Sequence, residues 1–341
     1  MKKIIIILCL GTIVMLQGCS GNKTAVSKED LAAIKKYDED QKAIEKLNHD
    51  YPTVPEDDKI FEFQGQNSPL YMELKSRYKN DFVQLKQEIE STGAKMVMII
   101  LRQPESTREH AVLNSKYGIP FIKECCSQLG VEYVDLSPVL NIQDATKITL
   151  VPKDGHWNQK GSELVASLIA PIIKKYGAAK SNVTYKDNER TETFGDLPPH
   201  EDRILDGGKD LPYHLVANAQ GLRMDHDIKF PKNKQFVLFM GGSQIYSPFL
   251  DNEFIATSLL QKQFPDKEIM NSGIIAATIE DYLTLWREKA KYSEPDLVII
   301  QTNGGDITDY FFSGRNHVAR THKPYPPSPV EEKFYNTYLK R

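Results

Sequence analysis

The chain has 341 residues, 40% of them hydrophobic and 26% charged, an ordinary globular composition sized for one large domain or two modest ones. The net charge is -3, and no long basic stretch lies outside the extreme N-terminus, which argues against nucleic acid as a partner.

Taken in chain order, the first segment, MKKIIIILCLGTIVMLQGCSGN, reads as an export signal: Lys2 and Lys3 precede an apolar run too short to span a bilayer comfortably. Its end, Leu16-Gln17-Gly18-Cys19, resembles the bacterial lipobox. That resemblance implies a signal peptide over 1–18, cleavage before Cys19, and lipidation of the Cys19 thiol, with acyl chains enough for stable membrane anchoring. A simple secretory signal or an uncleaved anchor is the competing reading. Ser20 implies outer-membrane passage if the envelope is Gram-negative. Residues 19–60 are polar and charge-rich, with a capping-box pattern at Ser27 to Asp30, and are read as a polar tether, a solvated helix or a loose chain to about Asn48, either of which would hold the body away from a membrane.

From there the chain alternates. A helix is expected over 80–93, ending at Gly93, then a strand buried on both faces over 94–101. A second amphipathic helix over 119–130, a short strand over 131–136, and a helix over 162–177 complete the first half, 61–180. Cys125 and Cys126, adjacent and without zinc-type spacing, are read as buried small hydrophobes. Residues 181–234 are a loop-rich excursion. The second half, 235–315, gives strand 235–242, helix 252–265, strand 267–273, helix 278–292 and strand 295–305, followed by a C-terminal tail, 316–341. Two strands in the first half and three in the second, none followed by a hairpin turn, predict an α/β fold with a doubly wound, mostly parallel five-stranded sheet.

In such sheets the working groups gather beyond the carboxyl ends of the strands. Ser243 follows two glycines at one strand end. Gly273 and Asn303 follow two others. A serine needs a base at neutral pH, and His156 in Asp154-Gly155-His156-Trp157-Asn158 stands directly before a helix. A carboxylate at Asp154 is near enough in sequence to bind the imidazole and set its tautomer, so that His156 takes the serine proton. Trp157 is read as a packing residue.

At these residues the chain resembles the SGNH (GDSL-type) hydrolases. "GGS" at 241–243 stands where that family has Gly-Asp-Ser, "MNSG" at 270–273 resembles its second block, and "IIQTNGGDITD" at 299–309 its third, Gly-x-Asn-Asp block. "NAQGLR" at 218–223 resembles the stretch ahead of the serine block, and "DGHWNQKG" at 154–161 the closing Asp-x-His block. The halves stand in swapped order, as in the alginate O-acetyltransferase group of SGNH-like proteins. The resemblance implies a circularly permuted three-layer sandwich in the sheet order 2-1-3-4-5, with the first half supplying the fourth and fifth strands. It also implies Ser243 as nucleophile, His156 as base, Asp154 as its orienter, and amides at Ser243 and Gly273, with Asn303, around the oxyanion. Two positions depart from the pattern: Gly242 replaces the aspartate of Gly-Asp-Ser, implying a looser serine loop, and Gly305 falls at the asparagine position in one alignment of the third block.

The reading is a lipid-anchored, envelope-facing serine esterase or O-acetyltransferase that moves short acyl groups of a cell-surface carbohydrate, beside polysaccharide-modification machinery. No cofactor is implied. Asp306 and Asp309 lack partner ligands nearby in sequence, so no metal is expected. Two alternatives stand: a non-catalytic carbohydrate-binding or assembly lipoprotein on a degenerate site, and two incomplete half-domains that need a partner chain.

Overall fold

The computed structural model describes residues 69–104, 114–205, 210–310, 328–334 and 336. The segments read as export signal and tether, with Cys19, lie outside the described residues, as does most of the stretch 316–341.

Five strands form one sheet: β1 (Lys95–Ile100), β2 (Glu132–Asp135), β5 (Gln235–Met240), β6 (Lys267–Asn271) and β7 (Leu297–Thr302), in the spatial order β2-β1-β7-β5-β6. All four adjacent pairs are parallel. Two further strands, β3 (Asp202–Leu205) and β4 (Tyr213–Val216), make a separate antiparallel pair. The central strands are buried along nearly their whole length, which is why they read as unbroken apolar runs rather than alternating ones.

Successive strand side chains point to opposite faces, and two cores result. Met96, Met98, Phe236, Leu238, Val298 and Ile300 face one of them, together with helices α1 (Pro69–Ser91), α2 (Ile119–Leu129) and α5 (Ile279–Glu288). Val97, Ile99, Val237, Phe239, Leu297 and Ile299 face the other, covered by α3 (Gln159–Lys175) and α4 (Ala256–Gln263). Cys125 and Cys126 are buried in the first core, and burial pushes their thiols up to about 11 and about 12, well out of the nucleophilic range at neutral pH.

The expected elements are present, with shifted bounds. Helix α1 begins at Pro69 rather than near residue 80, because Leu70, Leu74 and Tyr78 continue its buried stripe toward the N-terminus. Helix α3 starts at Gln159, where the Asn158 side chain accepts from the Gly161 amide (3.0 Å) as an N-cap. Helix α4 is shortened to Ala256–Gln263 by a 3₁₀ turn at Asn252–Phe254.

The excursion between the halves is tied down at both ends of the sheet. Near the start of β7, the buried Asp296 carboxylate accepts from the Ser181 amide (2.8 Å), the Phe236 amide (2.9 Å) and Lys232 Nζ (2.7 Å). Glu294 accepts from the Tyr185 amide and from Arg190 Nη2 (both 2.6 Å). At the other end the β3–β4 pair leans on the serine loop: the Asn252 carboxamide exchanges hydrogen bonds with the Val216 amide (3.2 Å) and carbonyl (2.7 Å). The His214 amide donates to Asp251 Oδ1 (2.6 Å).

Candidate active site

Ser243 opens a short helix, Ser243–Tyr246, immediately past β5, with Gly242 as its N-cap. Both are half-buried, so the serine stays accessible to solvent. Its neighbours across the sheet are fixed by the ladders: Phe239 pairs with Asn271 on β6 and Met240 with Ile300 on β7. The carboxyl ends of three adjacent strands therefore bring Gly273, Ser243 and Asn303 to one edge of the sheet.

On the other half of the chain, Asp154 and His156 form the expected pair. His156 Nδ1 hydrogen-bonds Asp154 Oδ1, and the same oxygen accepts from the His156 amide at 2.7 Å. Asp154 is 7% exposed, so its carboxylate reaches little water and is held by these contacts. With Asp154 ionised, the proton sits on Nδ1 and leaves Nε2 as the basic nitrogen. The loop around the pair is braced locally: the Leu150 amide donates to the His156 carbonyl (2.9 Å), and Asn158 Nδ2 donates to the carbonyls of Lys147 (2.9 Å) and Thr149 (3.0 Å). Trp157 is buried at 1% exposure in the second core, the packing role expected of it.

The Asp154–His156 loop meets the loop after Ser243 at Phe249. Its ring lies 5.9 Å from the His156 ring and 6.0 Å from that of Tyr213 on β4. The loop that carries it departs sharply from ordinary backbone: Ser247 and Phe249 both have positive φ, at 58° and 68°. A buried cation holds that shape. Arg223, 1% exposed, donates to the Tyr246 carbonyl, the Ser247 carbonyl (2.8 Å), the Leu250 carbonyl and Asn252 Oδ1 (3.0 Å). The Tyr246 and Tyr213 rings lie 5.0 and 5.4 Å from the guanidinium.

Gly273 has a different task from the one expected of it. Its amide donates to Asn271 Oδ1 at 2.9 Å and so is spent within the protein. Its lack of a side chain is what matters: a Cβ there would sit 2.4 Å from the Tyr246 nitrogen, so only glycine lets the loop after β6 approach the serine helix. Asn303 is half-buried, and its Oδ1 accepts from the Gly305 amide (2.6 Å), so the oxygen end of the carboxamide is tied into this turn. Asp306, buried and with its carboxyl pushed up by desolvation, takes the Thr302 hydroxyl and the Asn303 amide (3.0 Å) and shapes this turn. Among the described residues no group of three or more His, Cys, Asp or Glu is placed to hold a metal ion.

Sequence reasoning missed three residues that build the site. Gln301, 1% exposed, bridges from β7 to the serine loop. Arg223 closes the "NAQGLR" stretch, and its signal was an arginine between apolar Leu222 and Met224. Phe249 had no local signal.

Comparison with solved structures finds similarity to the O-acetyltransferase domain of Pseudomonas putida AlgJ, at 11% identity and a TM-score of 0.42 over 75% of this chain and 93% of that one. It also finds Pseudomonas aeruginosa AlgX, at 14% identity and a TM-score of 0.37 over 74% of this chain. The chain spans 61% of the length of AlgX. No family model matches the sequence. No curated protein matches it either.

Proposed function

We propose that the chain is a serine-dependent acyl-ester hydrolase or O-acetyltransferase that acts on short acyl groups of a cell-surface carbohydrate through an acyl-serine intermediate. The observation that carries the proposal is the Asp154–His156 hydrogen bond, which leaves a basic nitrogen on the half of the chain that meets the Ser243 loop through Phe249. The strand order supports it. Counted from β5, the sheet reads 2-1-3-4-5, the order of the SGNH family with its halves exchanged.

In this mechanism His156 Nε2 takes the proton of Ser243 Oγ as Oγ bonds to the ester carbonyl carbon. The carbonyl π electrons move to oxygen. The Ser243 amide, which has no hydrogen-bond partner among the described residues, and Asn303 Nδ2 stabilise that oxyanion. The C–O bond to the leaving alcohol then breaks and His156 returns its proton to the alcohol oxygen. Water or a sugar hydroxyl, deprotonated by His156, attacks the acyl-serine and frees Ser243. Lipidated Cys19 would anchor this domain to the envelope membrane, facing its carbohydrate, with polysaccharide-modification machinery as the partner.

A second reading, a carbohydrate-binding or assembly lipoprotein without turnover, is favoured by one observation: the Gly273 amide is committed to Asn271 and offers no hydrogen to an oxyanion. Intact-mass analysis of the protein from residue 20 onward, after brief exposure to an activated acetyl ester, separates the two. The esterase reading expects one acetyl adduct, absent in Ser243→Ala and formed roughly 10,000-fold more slowly in Asp154→Asn, where the imidazole takes the wrong tautomer. A folded wild-type protein that forms no adduct and turns over no ester would select the binding role. Candidate sugar acceptors then distinguish transfer from hydrolysis.

A further inference from the structure

Gly242 has no side chain with which to steady the loop that presents Ser243, yet its backbone is held. The β5–β7 ladder ends at Met240 paired with Ile300, so the next amides on the β5 side leave the sheet. One of them, Gly242 N, donates instead to Gln301 Oε1 at 3.0 Å. The other end of the same carboxamide, Nε2, donates to the Leu101 carbonyl at 3.1 Å, just past the end of β1. A single side chain on the middle strand thus joins the carboxyl ends of β1 and β5.

The surroundings are built for this bridge. Gln301 is 1% exposed and follows the wholly apolar run Leu297–Ile300. A polar group there is costly unless both its ends are satisfied, and both are. Gly241 leaves room for it: a Cβ at 241 would come within 2.8 Å of Gln301 Oε1 and 2.5 Å of Ile245 Cγ1. An apolar side chain would fill the same volume without ordering the loop.

We propose that Gln301 is a positioning residue of the acyl-serine site, fixing the Ser243 loop through the Gly242 amide in place of a side chain at 242. The inference rests on the acyl-serine reading above. It carries a consequence for the oxyanion: the Gly242 amide is already spent on Gln301, so the backbone donor of the loop is the Ser243 amide that follows it. The Ser243 hydroxyl and that amide are aimed together, and loosening the bridge misplaces both.

The test uses Gln301→Met, which keeps the volume and removes both hydrogen bonds, and Gln301→Glu, which removes one conditionally. A neutral Glu carboxyl accepts from Gly242 and donates to the Leu101 carbonyl. An ionised one cannot donate. The rate of Ser243 acylation by an activated acetyl ester is followed by intact mass, beside circular dichroism and a KM for a slow ester. Gln301→Met is expected to acylate about 100-fold more slowly with little change in KM, the size of effect that an ångström-scale misplacement brings. Should that variant not fold, Gln301→Glu carries the test: its rate relative to wild type is expected to rise as the pH falls, because protonation restores the second hydrogen bond. A reactive wild type beside an equally reactive, folded Gln301→Met, or a Gln301→Glu ratio that is flat with pH, would overturn this inference alone. A folded wild type that never acylates would overturn the acyl-serine reading and this one with it.

Discussion

Replacing Arg223 should unfasten the loop that joins the two halves of the site. Its guanidinium serves the carbonyls of Tyr246, Ser247 and Leu250 as well as Asn252 Oδ1, all in an environment where Arg223 itself is 1% exposed. In Arg223→Met the aliphatic volume survives and three buried carbonyls lose their donor. Each such group costs about 1–3 kcal/mol when left unsatisfied, a gross penalty of about 3–9 kcal/mol. Two effects reduce it. The burial cost of the cation, which already pushes its pKa down, is recovered, and the loop opens far enough to admit water. A net loss of about 3–4 kcal/mol is expected in urea unfolding at neutral pH, at the lower end of that range. Arg223→Lys keeps a charge and three donors but not the planar fork, and should lose about half as much. Limited proteolysis supplies the local readout: cleavage within 246–251 should appear in Arg223→Met before global unfolding, since Ser247 and Phe249 hold positive φ only while the loop is clamped. A loss below about 1 kcal/mol in both variants, with no new cleavage, would refute the assignment of the loop's shape to this cation.

Two glycines near the serine should answer differently to a methyl group. Gly273→Ala places Cβ 2.4 Å from the Tyr246 nitrogen, a backbone atom that cannot swing away, and should destabilise the protein by about 2–3 kcal/mol in thermal or urea unfolding. Gly242→Ala meets nothing nearer than the Tyr282 hydroxyl at 3.7 Å and should fold with a change of less than about 1 kcal/mol. Equal losses at the two positions would contradict the packing described for them. At the opposite end of the sheet, His226 is paired with Glu268 (2.6 Å) and Asp225 (2.6 Å), and the Glu268 hydrogen bond raises its pKa from 6.5 to about 9. The folded state holds this proton more tightly, so the pair's contribution is complete below about pH 6.5 and is lost as pH rises through about 9. The stability gap between wild type and His226→Gln should therefore narrow between those pH values, and a gap independent of pH would remove the ion pair from the account.

Much of this molecule is written locally. The runs at 96–101, 236–240 and 297–300 are apolar without alternation because their strands are buried on both faces, and that composition is visible in each segment alone. The Asp154–His156 contact was legible for the same reason: the partners are near neighbours in the chain, and the Asn158 cap that follows fixes the turn between them and helix α3. The start of α1 was less legible because Leu70, Leu74 and Tyr78 are interspersed with charged residues, and only packing shows that they extend the buried stripe of Phe82, Leu85 and Ile89.

Tertiary structure decided the rest. Gly273 kept its place beside the serine helix, but its amide turned inward to Asn271, a choice made by the competition of a side-chain carbonyl that sequence pattern does not weigh. The loop at Gly242 looked unsupported because its partner, Gln301, is distant in the chain and adjacent only through the β5–β7 ladder. Arg223 and Phe249 act through contacts of the same long-range kind. Local periodicity and residue chemistry mark the five strands of the main sheet, its covering helices and the kinds of reactive group at the strand ends, but not the β3–β4 pair within the excursion. Which hydrogen of which amide stays free, and which side chain steadies the serine, depended on strand order, because only the folded sheet brings residues from both halves of the chain within hydrogen-bonding distance.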